Sequence, residues 1–250
     1  MKDLHCHLLP GLDDGSQSLS ETEEMLVSAS SSGITTIAAT SHYSPEMDLR
    51  YDDTWKEVSE LAEKYSVRLL KGTEYDLEYL ADIPPEKLRP IGDTKFLLID
   101  MNRNYIIHSM VNLFFKLKLA GFRIIFAHPE RMLPREGLKE LLKLLDENGI
   151  FIQLDSGSIV GRYGNLAKSN AFFILDHGGC HLLGNDAHKA QHFLFRECRD
   201  ILDRRYGQGL FELLTERNPA EILAGNDPLP SPRRKTFWDR LLRRECCRML

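Results

Sequence analysis

The sequence predicts an α/β fold whose parallel strands close, or nearly close, into a barrel. Three observations lead there. Short β-rich runs alternate with helical stretches seven times along the 250 residues. A helix-ending glycine stands directly before several of the strands, as in Gly33-Ile34, Gly121-Phe122 and Gly149-Ile150. Histidines and acids recur at one end of successive strands, the end where parallel α/β folds build their sites. An open, doubly wound sheet is the competing architecture. No Gly-x-Gly-x-x-Gly follows the first strand, which weakens its dinucleotide-binding form.

Strands are expected at residues 3–7, 34–40, 67–72, 95–101, 123–127, 151–154 and 181–184. The helix expected at 20–32 opens on Ser20 with Glu23 three residues later, a capping-box spacing, and stops at Gly33. The stretch 53–65 places Trp55, Val58, Leu61 and Ala62 on one face. Residues 106–120 are strongly apolar and end at Gly121. Helices at 135–148, 166–176 and 190–206 each stop near a glycine, and those at 207–215 and 219–223 cap the fold. The reading divides the chain into a body at 1–225 and a Pro-containing basic tail at 226–250. From residue 228 onward, seven Arg or Lys face only Asp239 and Glu245. Phe237, Trp238, Leu241, Leu242 and Met249 could share one helical face there. A solvated extension and a weak contact with an anionic membrane surface both suit such a tail.

Hydrophobic residues make up 42% of the chain, enough for one large core. A net charge of −5 and a pI near 6.0 exclude a nucleic-acid binder held by bulk positive charge. Mean hydropathy is −0.30 and no run reaches the length of a membrane span; because charged residues and the His-x-His strand begin almost at Met1, no secretory signal is expected. The cysteines, Cys6, Cys180, Cys198, Cys246 and Cys247, are odd in number and lack zinc-type spacing, so a reducing cytoplasmic compartment is expected.

The run Asp3-Leu4-His5-Cys6-His7 carries the chemistry. Side chains two apart on a strand point the same way, so both imidazoles can reach one ion. Further candidates end later strands: His42, Glu74, Asp100, His128, and Asp186 with His188. Taken singly, most suit a hydrogen-bonded core histidine or a surface charge equally well. Together they form an imidazole and carboxylate set suited to zinc, manganese or iron(II), and too large for one ion. Two or three ions would polarise a phosphoryl oxygen and acidify a bound water. Arg131, three residues past His128, could hold a phosphoryl group, or merely pair with Glu130 or Glu136. Arg50 and Arg103 are weaker candidates for that task. His108, His177, His181 and His192 are read as structural.

These residues resemble the PHP (polymerase and histidinol phosphatase) superfamily, and most closely its bacterial protein-tyrosine phosphatase branch of capsule and exopolysaccharide synthesis. The resemblance rests on residues 3–15 with their Asp13-Asp14-Gly15, Ala39-Thr40-Ser41-His42, Gly72-Thr73-Glu74, Ala127-His128-Pro129-Glu130-Arg131 and Asn185-Asp186-Ala187-His188, and covers roughly residues 1–223. It implies a distorted (β/α)7 TIM-like barrel with two or three divalent ions, manganese foremost, at the C-terminal ends of the strands. The ligand set it implies is His5, His7, Asp14, His42, Glu74, Asp100, His128, Asp186 and His188. Asp100 stands where the family has a glutamate, and Asp13 competes with Asp14 by one position. Asp3 is expected to orient a histidine, and Arg131 to bind phosphate or assist the leaving group. The implied substrate is a phosphotyrosine protein, foremost the C-terminal tail of a bacterial tyrosine kinase. A histidinol-phosphate type of small-molecule phosphatase and a non-catalytic metal-binding regulator are the alternatives.

Overall fold

The chain, described over residues 1–101 and 107–233 of a computed structural model, alternates strands and helices much as expected. β1 (Lys2–Cys6), α1 (Leu19–Ser31), β2 (Thr36–Ala39), α2 (Pro45–Glu63), β3 (Arg68–Lys71), β4 (Glu74–Asp76) and the one-turn α3 (Leu77–Leu80) make up the first part. Then come β5 (Phe96–Asp100), α4 (Ile107–Leu119), β6 (Arg123–Ala127), α5 (Arg135–Glu147), β7 (Phe151–Asp155), the short α6 (Ser156–Val160), α7 (Gly164–Asp176) and β8 (Leu182–Gly184). α8 (Phe195–Tyr206), α9 (Leu210–Glu212) and α10 (Asn218–Leu223) follow, with a wider π turn at Leu213–Arg217. Arg103 and the tail beyond Arg233, with its apolar residues, Cys246 and Cys247, lie outside the described residues.

Every ladder is parallel and joins strands consecutive in sequence, in two sheets ordered β1-β2-β3 and β4-β5-β6-β7-β8 that part between β3 and β4. The expected single closed barrel is thus not present as one continuous ladder among the described residues. Isolated parallel bridges, Cys6 to Ala187 and His42 to Glu74, link the two sheets instead. The extra strand, β4, lies just past the expected third run at 67–72, which forms β3 alone. β3 pairs with β2, and after Gly72-Thr73 the chain changes partner to β5. Gly72 permits the change, since a Cβ there would sit 2.9 Å from Thr40 Cγ2.

Strands buried on both faces explain their unbroken apolar runs. Leu97, Ile99, Ile124 and Phe126 join the main cluster beneath the helices. Leu4, Ala38, Leu70, Leu98, Ile125 and Leu182, from six different strands, meet in a second, smaller cluster that Ile222 of α10 covers. Gly33, Gly121 and Gly149 follow α1, α4 and α5 in the left-handed region, as their placement predicts.

Three helix starts differ from expectation. Ser18, not Ser20, caps α1, its hydroxyl accepting from Glu21 N–H. α2 begins at Pro45, well before residue 53, because Ser44 accepts from Met47 N–H and proline at the first position is preset for a helix. The stretch 190–206 breaks into a 3₁₀ turn and α8, where Asn185 Oδ1 captures the Leu194 N–H. Contacts with the body continue past residue 225. Asn218 clasps the Leu229 backbone from both sides, and buried Ser231 pairs with Cys180 through its N–H and its hydroxyl.

Candidate metal centre

Strand ends and the loops beside them bring all nine expected ligands into three overlapping groups. His7, Asp14, His42 and His188 form the first. His5, His7, Glu74 and Asp186 form the second, fully buried. Glu74, Asp100 and His128 form the third. In each, the ligand atoms lie within 4.8 Å of one another. His7 and Glu74 each belong to two groups, as bridging positions would.

The local chain explains how these side chains arrive. His5 and His7 lie at the end of β1, where the two-residue strand repeat puts both rings on one face, and their Nε2 atoms converge to 3.2 Å. His128 and Asp186, beyond β6 and β8, are left-handed non-glycine residues with φ of 36° and 45°. That costly backbone turns each side chain into the cluster. Their N–H groups remain paired, to Gln153 O at 2.8 Å and His5 O at 3.1 Å. Gly15 is needed for contact, because a Cβ would collide with the His7 backbone.

The donors fit divalent cations. Glu74 Oε2 lies 3.0 Å from His5 Nε2, 3.2 Å from His7 Nε2 and 3.2 Å from His42 Nδ1. Asp186 Oδ1 lies 3.2 and 3.1 Å from the same two Nε2 atoms. Yet both oxygens are buried without a hydrogen-bonding partner. Lone pairs that crowd a common point without aligning as hydrogen bonds suit ligands around shared ions. The electrostatics agree. Burial alone would raise the Glu74 and Asp186 carboxyls, but the surrounding imidazoles hold both well below the usual range. Burial and the Glu74 charge push Asp100 up to about 8, an excess of negative charge that a cation would relieve.

Asp13 and Asp14 separate cleanly. Asp14, largely exposed, reaches His188 at 3.2 Å and belongs to the first group. Asp13 Oδ2 lies 2.7 Å from His7 Nδ1 and accepts from His42 N–H at 2.9 Å, so it holds two candidate ligands from behind. Asp3 differs from expectation. It accepts from the backbone N–H groups of His5 and Asn185 and from Asn185 Nδ2, rather than from a ring. It fastens β1 to β8, and burial raises its carboxyl to about 6.

Arg131 makes its short ion pairs with Asp155 and Asp186. Its Nη1 lies 2.9 Å from Asp155 Oδ2 and 2.8 Å from Asp186 Oδ2, and its guanidinium stacks 4.6 Å from the Tyr163 ring centre. Asp155, at the end of the one strand without an expected ligand, thus serves the arginine. Nothing in the sequence flagged that role, nor Tyr163's. Arg50 donates to Gly11 O. His192 Nδ1 accepts from the His188 N–H, a supporting role. Asp100, His128 and Arg131 border a cavity of about 640 Å³ that opens the third group to solvent.

Parallel α/β chains that gather imidazoles and carboxylates at their strand ends form the class of metal-dependent hydrolases, and this chain has that form. Within it, the chain belongs to the CpsB/CapC family of capsular polysaccharide synthesis, whose family model matches residues 1–224. It is 32% identical over 256 residues to tyrosine-protein phosphatase YwqE of Bacillus subtilis (strain 168), covering 95% of this chain and 99% of that one. It is 23% identical over 238 residues to tyrosine-protein phosphatase CpsB of Streptococcus pneumoniae, covering 89% and 98%. Among solved structures, a chain from the crystal structures of YwqE and CpsB, metal-dependent tyrosine phosphatases, matches with a TM-score of 0.82 at 28% identity, covering 94% and 99%.

Proposed function

We propose that this chain is a metal-dependent protein-tyrosine phosphatase that acts in capsule or exopolysaccharide synthesis, on a phosphotyrosine protein such as the tail of a tyrosine kinase. The observation that carries the reading is the convergence of His5, His7, Asp14, His42, Glu74, Asp100, His128, Asp186 and His188 into three overlapping groups. These residues would hold two or three divalent ions, manganese foremost. Such ions, when bound, supply Lewis-acid charge for phosphoryl oxygens and acidify water.

The chain's own groups do the rest. Asp13 fixes the His7 ring so that Nε2 faces the cluster. Asp155 and Tyr163 hold the Arg131 guanidinium at the cavity edge, where it meets phosphoryl oxygens and offsets charge as the ester bond breaks. A phenolate leaves without strong acid assistance. The two bridged sheets wrap as a distorted barrel at 1–225, followed by the basic tail at 226–250, whose Leu229 and Ser231 stay anchored to the body. No helix among the described residues is long and apolar enough to cross a membrane, which accords with work in the cytoplasm.

The test pairs elemental analysis of purified protein with manganese-dependent hydrolysis of a phosphotyrosyl peptide and of histidinol phosphate. The expected result is bound divalent metal, turnover that a chelator abolishes, and preference for the peptide. Faster turnover of histidinol phosphate would assign the small-molecule reaction. Bound metal with neither turnover would leave a regulator.

A further inference from the structure

The cavity beside the cluster has a mixed lining. Asp76, Asp100, His128 and Arg131 supply its charged and polar groups. Met101, Met132, Tyr163, Leu166 and Ala167 supply an apolar wall. This wall is graded in depth. Met101, Ala167 and Met132 are 3%, 4% and 7% exposed, whereas Tyr163 and Leu166, at the rim, are 38% and 56% exposed. Tyr163, Leu166 and Ala167 follow the i, i+3, i+4 spacing at the start of α7, so one helix edge presents all three. A lone exposed leucine needs no explanation. Leu166 is not alone, because it extends a continuous apolar surface that begins beside a candidate ion group.

An aryl phosphate divides in the same sense, with a dianion at one end and a flat apolar ring at the other. We infer that Met132, Tyr163 and Leu166 form the ring subsite, and that Leu166 sets the preference for aryl over alkyl phosphates. The inference rests on the phosphatase reading and adds to it the residues that recognise the leaving group. With the phosphoryl group beside Arg131, the ring lies along the wall toward Leu166 and displaces water from it. An alkyl phosphate leaves that wall wet. One face of the Tyr163 ring is already taken by the Arg131 guanidinium, which leaves Leu166 as the rim residue free to meet the ring. The cavity volume lies within the range of ligand clefts and exceeds what a phosphorylated ring alone fills, so neighbouring peptide residues can enter with it.

The test uses the full chain loaded with manganese and two peptides of one sequence, carrying phosphotyrosine or phosphoserine. The affinity of a third, carrying a non-hydrolysable phosphonomethyl-phenylalanine, is measured directly. Leu166→Asn should lower the aryl-to-alkyl ratio of kcat/KM about tenfold, mostly through KM of the phosphotyrosyl peptide, and weaken phosphonate binding by a similar factor. Leu166→Phe, which restores an apolar rim, should keep the wild-type ratio. Because Leu166 is exposed, neither variant should disturb folding, and circular dichroism checks this. Wild-type turnover of phosphotyrosine with an unaltered ratio in Leu166→Asn would overturn the inference alone. No wild-type turnover of phosphotyrosine would sink the phosphatase reading, and the ring subsite with it.

Discussion

Asp13→Asn probes the centre without removing a ligand. A neutral His7 that offers its Nε2 lone pair to the cluster must carry its proton on Nδ1, and Asp13 Oδ2 stands 2.7 Å away to accept it. The same oxygen accepts from His42 N–H at 2.9 Å, and Oδ1 accepts from Gly15 N–H at 2.9 Å. These bonds hold the Asp13 carboxyl well below its ordinary range although burial alone would raise it. An asparagine has one accepting oxygen. Whichever way it turns, its amide must face an N–H donor, either Gly15 or the His7 and His42 pair. Loss of such a supporting carboxylate weakens metal affinity about 10- to 100-fold, or roughly 1.4–2.7 kcal/mol. The assay is manganese titration of chelator-stripped protein, by calorimetry and by activation of phosphotyrosyl-peptide hydrolysis. The expected result is a higher activation constant with kcat recovered at saturating manganese. An unchanged constant would refute the claim that Asp13 orients His7. It would also reopen the choice between Asp13 and Asp14 as the ligand.

Arg131→Met should lower kcat about 10²- to 10³-fold while metal content stays the same. Steady-state kinetics with elemental analysis check this, and wild-type kcat would remove Arg131 from the reaction. Burial lowers the His181 pKa from 6.5 to about 4, and its Nδ1 accepts from Ile152 N–H, so protonation would set a donor against a donor. The unfolded chain then binds the extra proton. Stability is full above pH 6.5 and falls as pH drops toward 4, by up to about 3 kcal/mol. His181→Gln, which keeps an acceptor, should lose that component in denaturant unfolding of stripped protein between pH 7.5 and 5, and coincident slopes would exclude it. Truncation before Pro228 strands Asn218 Oδ1 and the Cys180 N–H and should cost about 1–3 kcal/mol for each buried group left unpaired.

Eight of the nine ligands were legible because each sits at or just past the end of an expected strand, a position that strand periodicity can locate without any knowledge of contacts, whereas Asp14, in the loop between β1 and α1, came only from the family resemblance. The helix-ending glycines were legible for a like reason, since they report on their own φ. What escaped depends on partners far along the chain. The change of sheet at Gly72 is decided by Thr40 and Tyr51, whose hydroxyl accepts the Gly72 N–H. The anchoring of the segment past residue 225 is decided by Asn218 and Cys180. Asp155 reads as an ordinary helix cap, which it also is, accepting from Gly157 N–H. Its second oxygen, turned to Arg131, becomes visible only when β6 and β7 lie side by side.

The same division runs through the chemistry. The candidate ion ligands come from strand ends, where buried ladders leave little freedom, and two of them, His128 and Asp186, hold strained left-handed backbone there. The groups that would choose a substrate, Tyr163 and Leu166, come from the start of α7, which no ladder constrains. A position within the ladder cannot change without moving an ion site. A position at the start of α7 can change while the ion groups stay in place. Exchanges at Leu166 should therefore alter which phosphoesters are accepted, whereas exchanges at Glu74 or Asp186 should alter whether any are cleaved.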